Sequence, residues 1–362
     1  LWDISWDRVI YDEVHHMRNS KTGTYWGGRN IDSKISWIVT GTPIQNHNSD
    51  FVSLCEILKL KDIMYENPSK IREIIKSHLL RRTKKDVGID ISDAVEEVVI
   101  VPWTDEEKVI AKHIHSYLQF LNVTVDNVDS IIGNLENHTL PMIVRARQMC
   151  ISPQILQESL VKKIKNGFLS REIPLFNISS CSKLEAVSNK IISRRNNDNL
   201  KLVFCHYRGE IDQLQKILTS AGMRVRCMDG RCSKKIRRSL TEKAIGSHEW
   251  NDIFGKKLGV NSNSIFEKIN QFLSPEVFLV QIQTACEGLN LQQYSEVYFT
   301  SPHWNPAIEE QAVARSHRIG QRKDVHVFRF IMDHLSEEGI SLDQYCIQVQ
   351  EVKKKLRKIL ET

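Results

Sequence analysis

Short apolar, β-branched runs alternate along this chain with longer stretches in which apolar residues recur every third or fourth position. The first pattern predicts strands and the second helices. Strands are expected over residues 4–11, 35–39, 95–101, 200–205, 225–228, 278–283, 296–300 and 325–331. Helices are expected over 51–60, where Phe51, Leu54, Cys55 and Leu58 share a face, and over 106–121, with Ile110, Ile114, Tyr117, Leu118 and Leu121 on one stripe. Further helices are expected over 140–156, from Ser182 onward, over 208–218 and over 342–360. The Gly-, Ser- and Lys-rich residues 20–34 read as a surface connection, the Asn-rich 122–139 as loop or short helix, and 157–181 as a hinge. Residues 240–264 read as an insertion without chemistry. Strands regularly followed by helices put the chain in the α/β class.

Length and composition narrow this little. The 362 residues suffice for about two domains, and 41% hydrophobic residues is ordinary for a globular protein. No apolar run approaches the ~20 residues of a membrane span, and no secretory signal opens the chain, so we expect no membrane partner. Leu1 is not methionine and stands just ahead of a strand, so a fragment or processed product is expected. The net charge of +6 is compatible with nucleic acid without requiring it. The eight cysteines form no C-x-x-C pair, the closest two being Cys227 and Cys232. Zinc-finger spacing is therefore absent and a reducing compartment is expected.

Candidate chemistry lies at two places. Residues 311–321 read QAVARSHRIGQ; in a helix, Arg315 and Arg318 would share one face with Gln311 a turn earlier. Two guanidiniums so placed can grip a phosphate chain. A solvated basic face would explain a lone R-x-x-R as well. This one, however, follows the strand 296–300 and a turn bounded by Pro302 and Pro306, an order that fits a nucleotide site on an α/β sheet. Near the N-terminus the strand 4–11 runs into Asp12-Glu13. Adjacent carboxylates at a strand's carboxyl end can serve nucleotide hydrolysis, one holding Mg²⁺ through water and the other orienting the attacking water; solvated acids at a turn are the plain alternative.

The block WNPAIEEQAVARSHRIGQ (304–321) closely resembles motif VI, and the residues before it, of Swi/Snf-type ATPases, DNA-dependent motors of helicase superfamily two. Other blocks follow in family order. VIYDEVHHMRN (9–19) resembles motif II, TGTPIQN (40–46) motif III, LRRTKKDV (80–87) a segment ending lobe one, and RQMCISP (147–153) the family's L-R-Q-x-C-x-H-P helix, with Ser152 where His is common. Residues 200–218 resemble motif IV, and GLNL (288–291) resembles motif V, with Ala285 and Cys286 where the family usually has glycines.

The resemblance implies RecA-like lobes, parallel sheets flanked by helices, with lobe one incomplete. Residues 1–95 would be its later part, 96–181 a helical insert and linker, 182–340 lobe two and 341–362 a C-terminal helix. ATP and Mg²⁺ are the implied cofactors. Asp12 would be the Mg²⁺ residue, Glu13 the catalytic base, and Arg315 and Arg318 arginine fingers. His15, Thr40, Gly41, Thr42, Gly288, Asn290 and Gln311 would bind nucleotide or couple it to motion. Arg81, Arg82 and Lys84 are a secondary candidate for the DNA backbone. The implied function is ATP-dependent translocation on double-stranded DNA, against a nucleosome, a stalled polymerase or another DNA-bound protein. Location would be the nucleus, or the cytoplasm or virion for a viral chain. Residues 152–182 contain only Cys181, so no RING zinc module is expected between the lobes. No G-x-x-x-x-G-K-[ST] phosphate loop occurs, so this chain alone is expected to hydrolyse ATP poorly or not at all. A strand-separating helicase and a non-catalytic DNA-binding module remain alternatives.

Overall fold

A computed structural model describes residues 2–41, 48–60, 68–82, 85–88, 91, 93–118, 120, 122–124, 140–169, 178–232, 276–285, 289–337 and 339–361. The calls on Thr42, Lys84, Cys286, Gly288 and the insertion 240–264 lie outside the described residues.

The first sheet pairs β1 (Ser5–Asp12) in parallel with β2 (Asp32–Val39), Tyr11 opposite Ile38 and Asp12 opposite Val39. Between them lies α1 (Gly23–Arg29), in a stretch expected to be loop. Thr22 caps it by accepting from the Tyr25 N–H, and Tyr25 packs with Tyr11 and Val14. Gly28 permits the crossing: the Tyr11 hydroxyl donates to its carbonyl at 3.0 Å, and a Cβ there would lie 2.8 Å from Met17 Sδ. Next, α2 (Asn48–Ile57) adds Leu54 and Ile57 to the same cluster, on the sheet face of Val9, Tyr11 and Ile38. Among the described residues nothing covers the opposite face. Ile10, Ile35, Trp37 and Val39 are about half exposed there, with Arg8 stacked 5.3 Å from the Trp37 ring. Parallel sheets are ordinarily covered on both faces, so this face is a surface in want of cover. A further helix, α3, spans Pro68–His78.

The second sheet has six parallel strands, in the order β3 (Val95–Val101), β8 (His326–Met332), β7 (Tyr294–Phe299), β4 (Leu200–Cys205), β6 (Val277–Gln281) and β5 (Val225–Met228). The continuous apolar runs LKLVFC and VFLVQ suit strands buried on both sides. Period-2 alternation sorts the side chains. Val203, Cys205, Tyr298 and Phe330 face α7 (Ser182–Ser193), α8 (Arg208–Ser220) and α10 (Leu342–Glu361), while Leu202, Phe204, Val297 and Phe299 face α9 (Pro306–Ser316). This is a RecA-like α/β lobe.

Three local expectations differ from what is observed. Val95–Val101 joins the edge of the second sheet, and the helices after it, α4 (Asp105–His115), α5 (Leu140–Ile151) and α6 (Pro153–Lys165), build onto that sheet's core through Val101, Ile143, Ala146, Cys150 and Ile155. The segment expected as a hinge thus begins helical. Of the expected stripe, Ile110, Ile114 and Leu118 pack on the core and Tyr117 is exposed, while Glu107, Ala111 and His115 are the most deeply buried positions of α4. A capping box between Thr104 and Glu107 starts this helix, and the same buried carboxylate accepts from the Ser182 N–H at 2.9 Å and the Ser182 hydroxyl. His115 is a core histidine that accepts from the Leu342 N–H at Nε2 and donates from Nδ1 to Ala111 O.

Candidate active site between the two sheets

The carboxyl end of β1 presents Asp12, an exposed carboxylate whose Oδ1 accepts the Glu13 N–H at 2.9 Å. Glu13 adopts a left-handed backbone (φ 48°, ψ 42°), rare outside glycine, and it turns the chain from the strand into a 3-10 turn over Val14–Met17. Its half-buried side chain points away from the strand axis, with Oε2 3.2 Å from His15 Nδ1. Burial is the main cause that pushes the His15 pKa down to about 4, with the charges of His16 and Arg18 adding to it. The ring is therefore neutral at pH 7, and this contact is a close approach of a neutral imidazole to the carboxylate rather than an ion pair. Thr40 Oγ1, at the end of β2, lies 3.3 Å from the same nitrogen. Asp12, Glu13, His15 and Thr40 thus lie together across the ends of β1 and β2.

The second lobe faces this group with α9. Pro306 at its first turn and the Asn305 side chain, which accepts from the Ala307 N–H, fix where the helix begins. Arg315 Nη2 stands 4.0 Å from Glu13 Oε1. One turn earlier, Gln311 Nε2 lies 3.8 Å from where a Cβ on Gly41 would be. The structure separates the two arginines: α9 ends at Ser316, so Arg318 falls in the turn beyond it and is exposed. Their expected shared helical face is not formed, because the backbone leaves the helix at His317 (φ −87°, ψ 76°), and Gly320 at φ +92° turns it further. A Cβ there would sit 2.5 Å from Gln292 Nε2. Gln321, to which no role was assigned from sequence, staples this turn. Its Nε2 donates to Gln292 O at 2.7 Å and Ser316 O at 3.2 Å, and its Oε1 accepts from the Arg322 and Lys323 N–H groups. The Gly-Gln pair after the second arginine was the readable signal.

Asn290 is half-buried, and its Oδ1 accepts from the Gln292 N–H at 3.4 Å. Arg315 O accepts from the Leu291 N–H, tying the motif V and motif VI segments together. Arg81 and Arg82 are exposed beyond α3. No three described His, Cys, Asp or Glu residues cluster to cage a metal ion. Asp12 instead offers a solvent-facing carboxylate beside Glu13, a donor set that fits Mg²⁺ held largely by water and phosphate.

Parallel sheets flanked by helices, with a carboxylate pair at the end of one sheet faced by an arginine of the other, fit the RecA-like lobes of helicase superfamily two. The SNF2-related domain model matches residues 1–155 and the helicase conserved C-terminal domain model matches 253–320. The chain belongs to the SNF2 family of superfamily two. It is 24% identical over 98% of its length to a putative SWI/SNF-related matrix-associated actin-dependent regulator of chromatin (subfamily A member 3-like 1) of Arabidopsis thaliana, covering 48% of that protein. It is 24% identical over 95% of its length to the ISWI chromatin-remodeling complex ATPase ISW2 of Saccharomyces cerevisiae, covering 30%. It is 23% identical over 94% of its length to a probable global transactivator of Orgyia pseudotsugata multicapsid polyhedrosis virus, covering 64%. The chain therefore spans about half or less of the first two relatives. A crystal structure of the C-terminal part of the Fun30 ATPase domain aligns over 75% of this chain and 97% of its own, with TM-score 0.47 and 14% identity, too distant to inform the site.

Proposed function

We propose that this chain is part of an ATP-dependent double-stranded-DNA translocase whose ATP sits between the two sheets. Residues 1–95 would belong to lobe one and 182–340 to lobe two, with 96–181 a helical connection built on lobe two and 341–362 closing it. The observation that carries the reading is Arg315, reaching from α9 to within 4.0 Å of Glu13 on the other sheet. An arginine brought from a separate lobe to the catalytic carboxylate is placed where phosphoryl transfer uses one to neutralise developing charge.

In this reading Asp12 holds Mg²⁺ through water, and the ion would supply charge neutralisation on the nucleotide phosphates. Glu13 orients and deprotonates the attacking water. The neutral His15 lies against the Glu13 carboxylate and hydrogen-bonds Thr40, so that the end of β2 senses how Glu13 is placed. Arg315 exchanges its Glu13 contact for the transferring phosphoryl group, which links lobe closure to chemistry. Arg318, exposed beyond the helix, is the outer finger and would engage only on further closure. The phosphate loop absent from these residues would be supplied by further protein of lobe one, and the bare face of β1 and β2 supports that cover. The partner would be DNA or chromatin in a nucleus, as the names of the cellular relatives suggest, or viral DNA, as the baculovirus relative suggests.

The test is ATP turnover by a protein that includes a phosphate loop upstream of this chain, with and without duplex DNA. Turnover should rise with duplex and fall about 10³-fold or more in Arg315→Ala, with a smaller loss in Arg318→Ala. Duplex binding without turnover in the unsubstituted protein would refute the motor and leave a DNA-binding module. Strand displacement would mark a helicase instead.

A further inference from the structure

The second sheet ends on an open edge. β3 is its terminal strand, and among the described residues it pairs with β8 alone. In a parallel ladder, alternate residues of a strand turn both backbone groups towards one neighbour. The Val95 N–H donates to Val325 O at 2.8 Å, and Val101 O accepts from the Asp333 N–H at 2.9 Å. Val95, Glu97, Val99 and Val101 therefore bond to β8. Glu96, Val98 and Ile100 direct their N–H and C=O groups the other way, where no described strand receives them.

The side chains leave this edge uncovered as well. Val95, Val98 and Ile100 are each about half exposed, although Val101 on the same strand is buried. Proteins ordinarily blunt a long edge with a proline, a lysine, a bulge or a covering segment. The strand VEEVVIV has no proline or lysine, and its pairing with β8 runs in unbroken register. Its β-branched residues suit an added strand.

The surface around the edge is acidic. From Ile91 to Glu107 the chain has no lysine or arginine, and Asp93, Glu96, Glu97, Asp105 and Glu106 are exposed. By alternation Glu96 shares a face with Val98 and Ile100, and Glu97 lies on the other face with Val95. Each glutamate has one oxygen on a cation of the lobe: Glu96 Oε2 is 2.8 Å from Arg329 Nη1, and Glu97 Oε1 is 2.7 Å from Lys190 Nζ. The second oxygen of each is left for an incoming donor. A second copy of the chain would bring the same acids to this edge. Lysines or arginines on an added strand would meet them.

We propose that the edge of β3 binds an extended, cationic peptide segment of a partner protein, which joins the six strands as one more. Backbone hydrogen bonds to Glu96, Val98 and Ile100 hold it, its apolar side chains lie on Val98 and Ile100, and its basic side chains reach Glu96 and Glu97. The site is separate from Asp12, Glu13 and Arg315, and its test does not depend on turnover.

The probe is a short fluorescein-labelled peptide of valine and threonine interspersed with lysine, beside a counterpart with glutamate for lysine. Anisotropy should show saturable binding of the lysine peptide to the chain, weakened by salt, and none of the glutamate peptide at the same concentrations. Deuterium exchange over residues 95–101, read by mass spectrometry, should slow on binding, because the outward amides become hydrogen-bonded. Val98→Pro removes one outward N–H and leaves every N–H that donates to β8, the arrangement in which edge strands accept proline. It should weaken binding about 10-fold or more. If that variant fails to fold by circular dichroism, Glu96→Gln with Glu97→Gln serves, and should weaken binding several-fold and remove most of its salt dependence. The site is overturned if the lysine peptide does not bind, if the glutamate peptide binds equally, if exchange over 95–101 is not slowed, or if the variants bind as tightly as the unsubstituted chain. Self-association of the chain that Val98→Pro abolishes would overturn the peptide and identify a second copy as the occupant.

Discussion

Lys183 and Asp343 make a sharp test of what holds the second lobe together. The two side chains are 1% and 2% exposed and form an ion pair joining the first turn of α7 to the first turn of α10. Asp343 also accepts from the Ser301 hydroxyl at 2.7 Å and the Met332 N–H at 3.0 Å, so one carboxylate links two helices, the end of β8 and the turn after β7. In Asp343→Ala three donors lose their acceptor and Lys183 becomes a buried, uncompensated charge. Breaking a buried pair in this way costs about 3–5 kcal/mol. For a lobe of this size each kcal/mol moves the midpoint by about 2–4 °C, so a loss of roughly 6–20 °C is expected. The assay is thermal unfolding by circular dichroism, with urea midpoints as a check. Replacing both partners by apolar residues, Lys183→Met with Asp343→Leu, removes the stranded charge and should recover much of the loss. Two donors, Ser301 Oγ and the Met332 N–H, still go unpaired, so recovery is incomplete. If Asp343→Ala costs less than about 1 kcal/mol, or the double variant is worse than either single one, the charge argument fails and the pair is a tolerated surface-like contact.

Other consequences are equally direct. His15 is held neutral in the fold with a pKa near 4, below its unfolded value of 6.5. The unfolded chain therefore binds the extra proton first as pH falls, so this contribution to stability is complete above pH 6.5 and is lost between 6.5 and 4. Urea midpoints across that range should flatten in His15→Asn, and an unchanged slope would mean that another group carries it. Gly320→Ala places a methyl 2.5 Å from Gln292 Nε2 at a φ of +92°, and should destabilise the motif VI turn by about 1–3 kcal/mol. Gln292→Ala added to it should relieve the clash but not the backbone strain, so only part of the thermal midpoint returns.

Much of this protein is legible as local pattern. Strand runs such as LKLVFC, the placement of Asp12 and Glu13 where a strand ends, and a helix begun by Asn305-Pro306 depend on neighbours a few residues apart, and residue types suffice to announce them. The family's motifs are dense at these same places, because strand ends and helix starts are where backbone geometry meets a ligand.

Decisions made between distant segments were hidden. Val95–Val101 pairs with a strand more than two hundred residues later, a choice set by an open sheet edge that no local period encodes. The burial of Glu107 beside Ser182, which donates to it, was not announced by the apolar stripe of α4, whose Ile110 and Ile114 pack on the core as expected. The spacing of Arg315 and Arg318 promised a common face, but the helix ends at His317 between them and leaves one arginine facing Glu13 and the other in solvent, in a turn held by Gln321. Residue spacing names which groups are available. Only packing, by closing some hydrogen bonds and leaving others open, decides which of those groups meet.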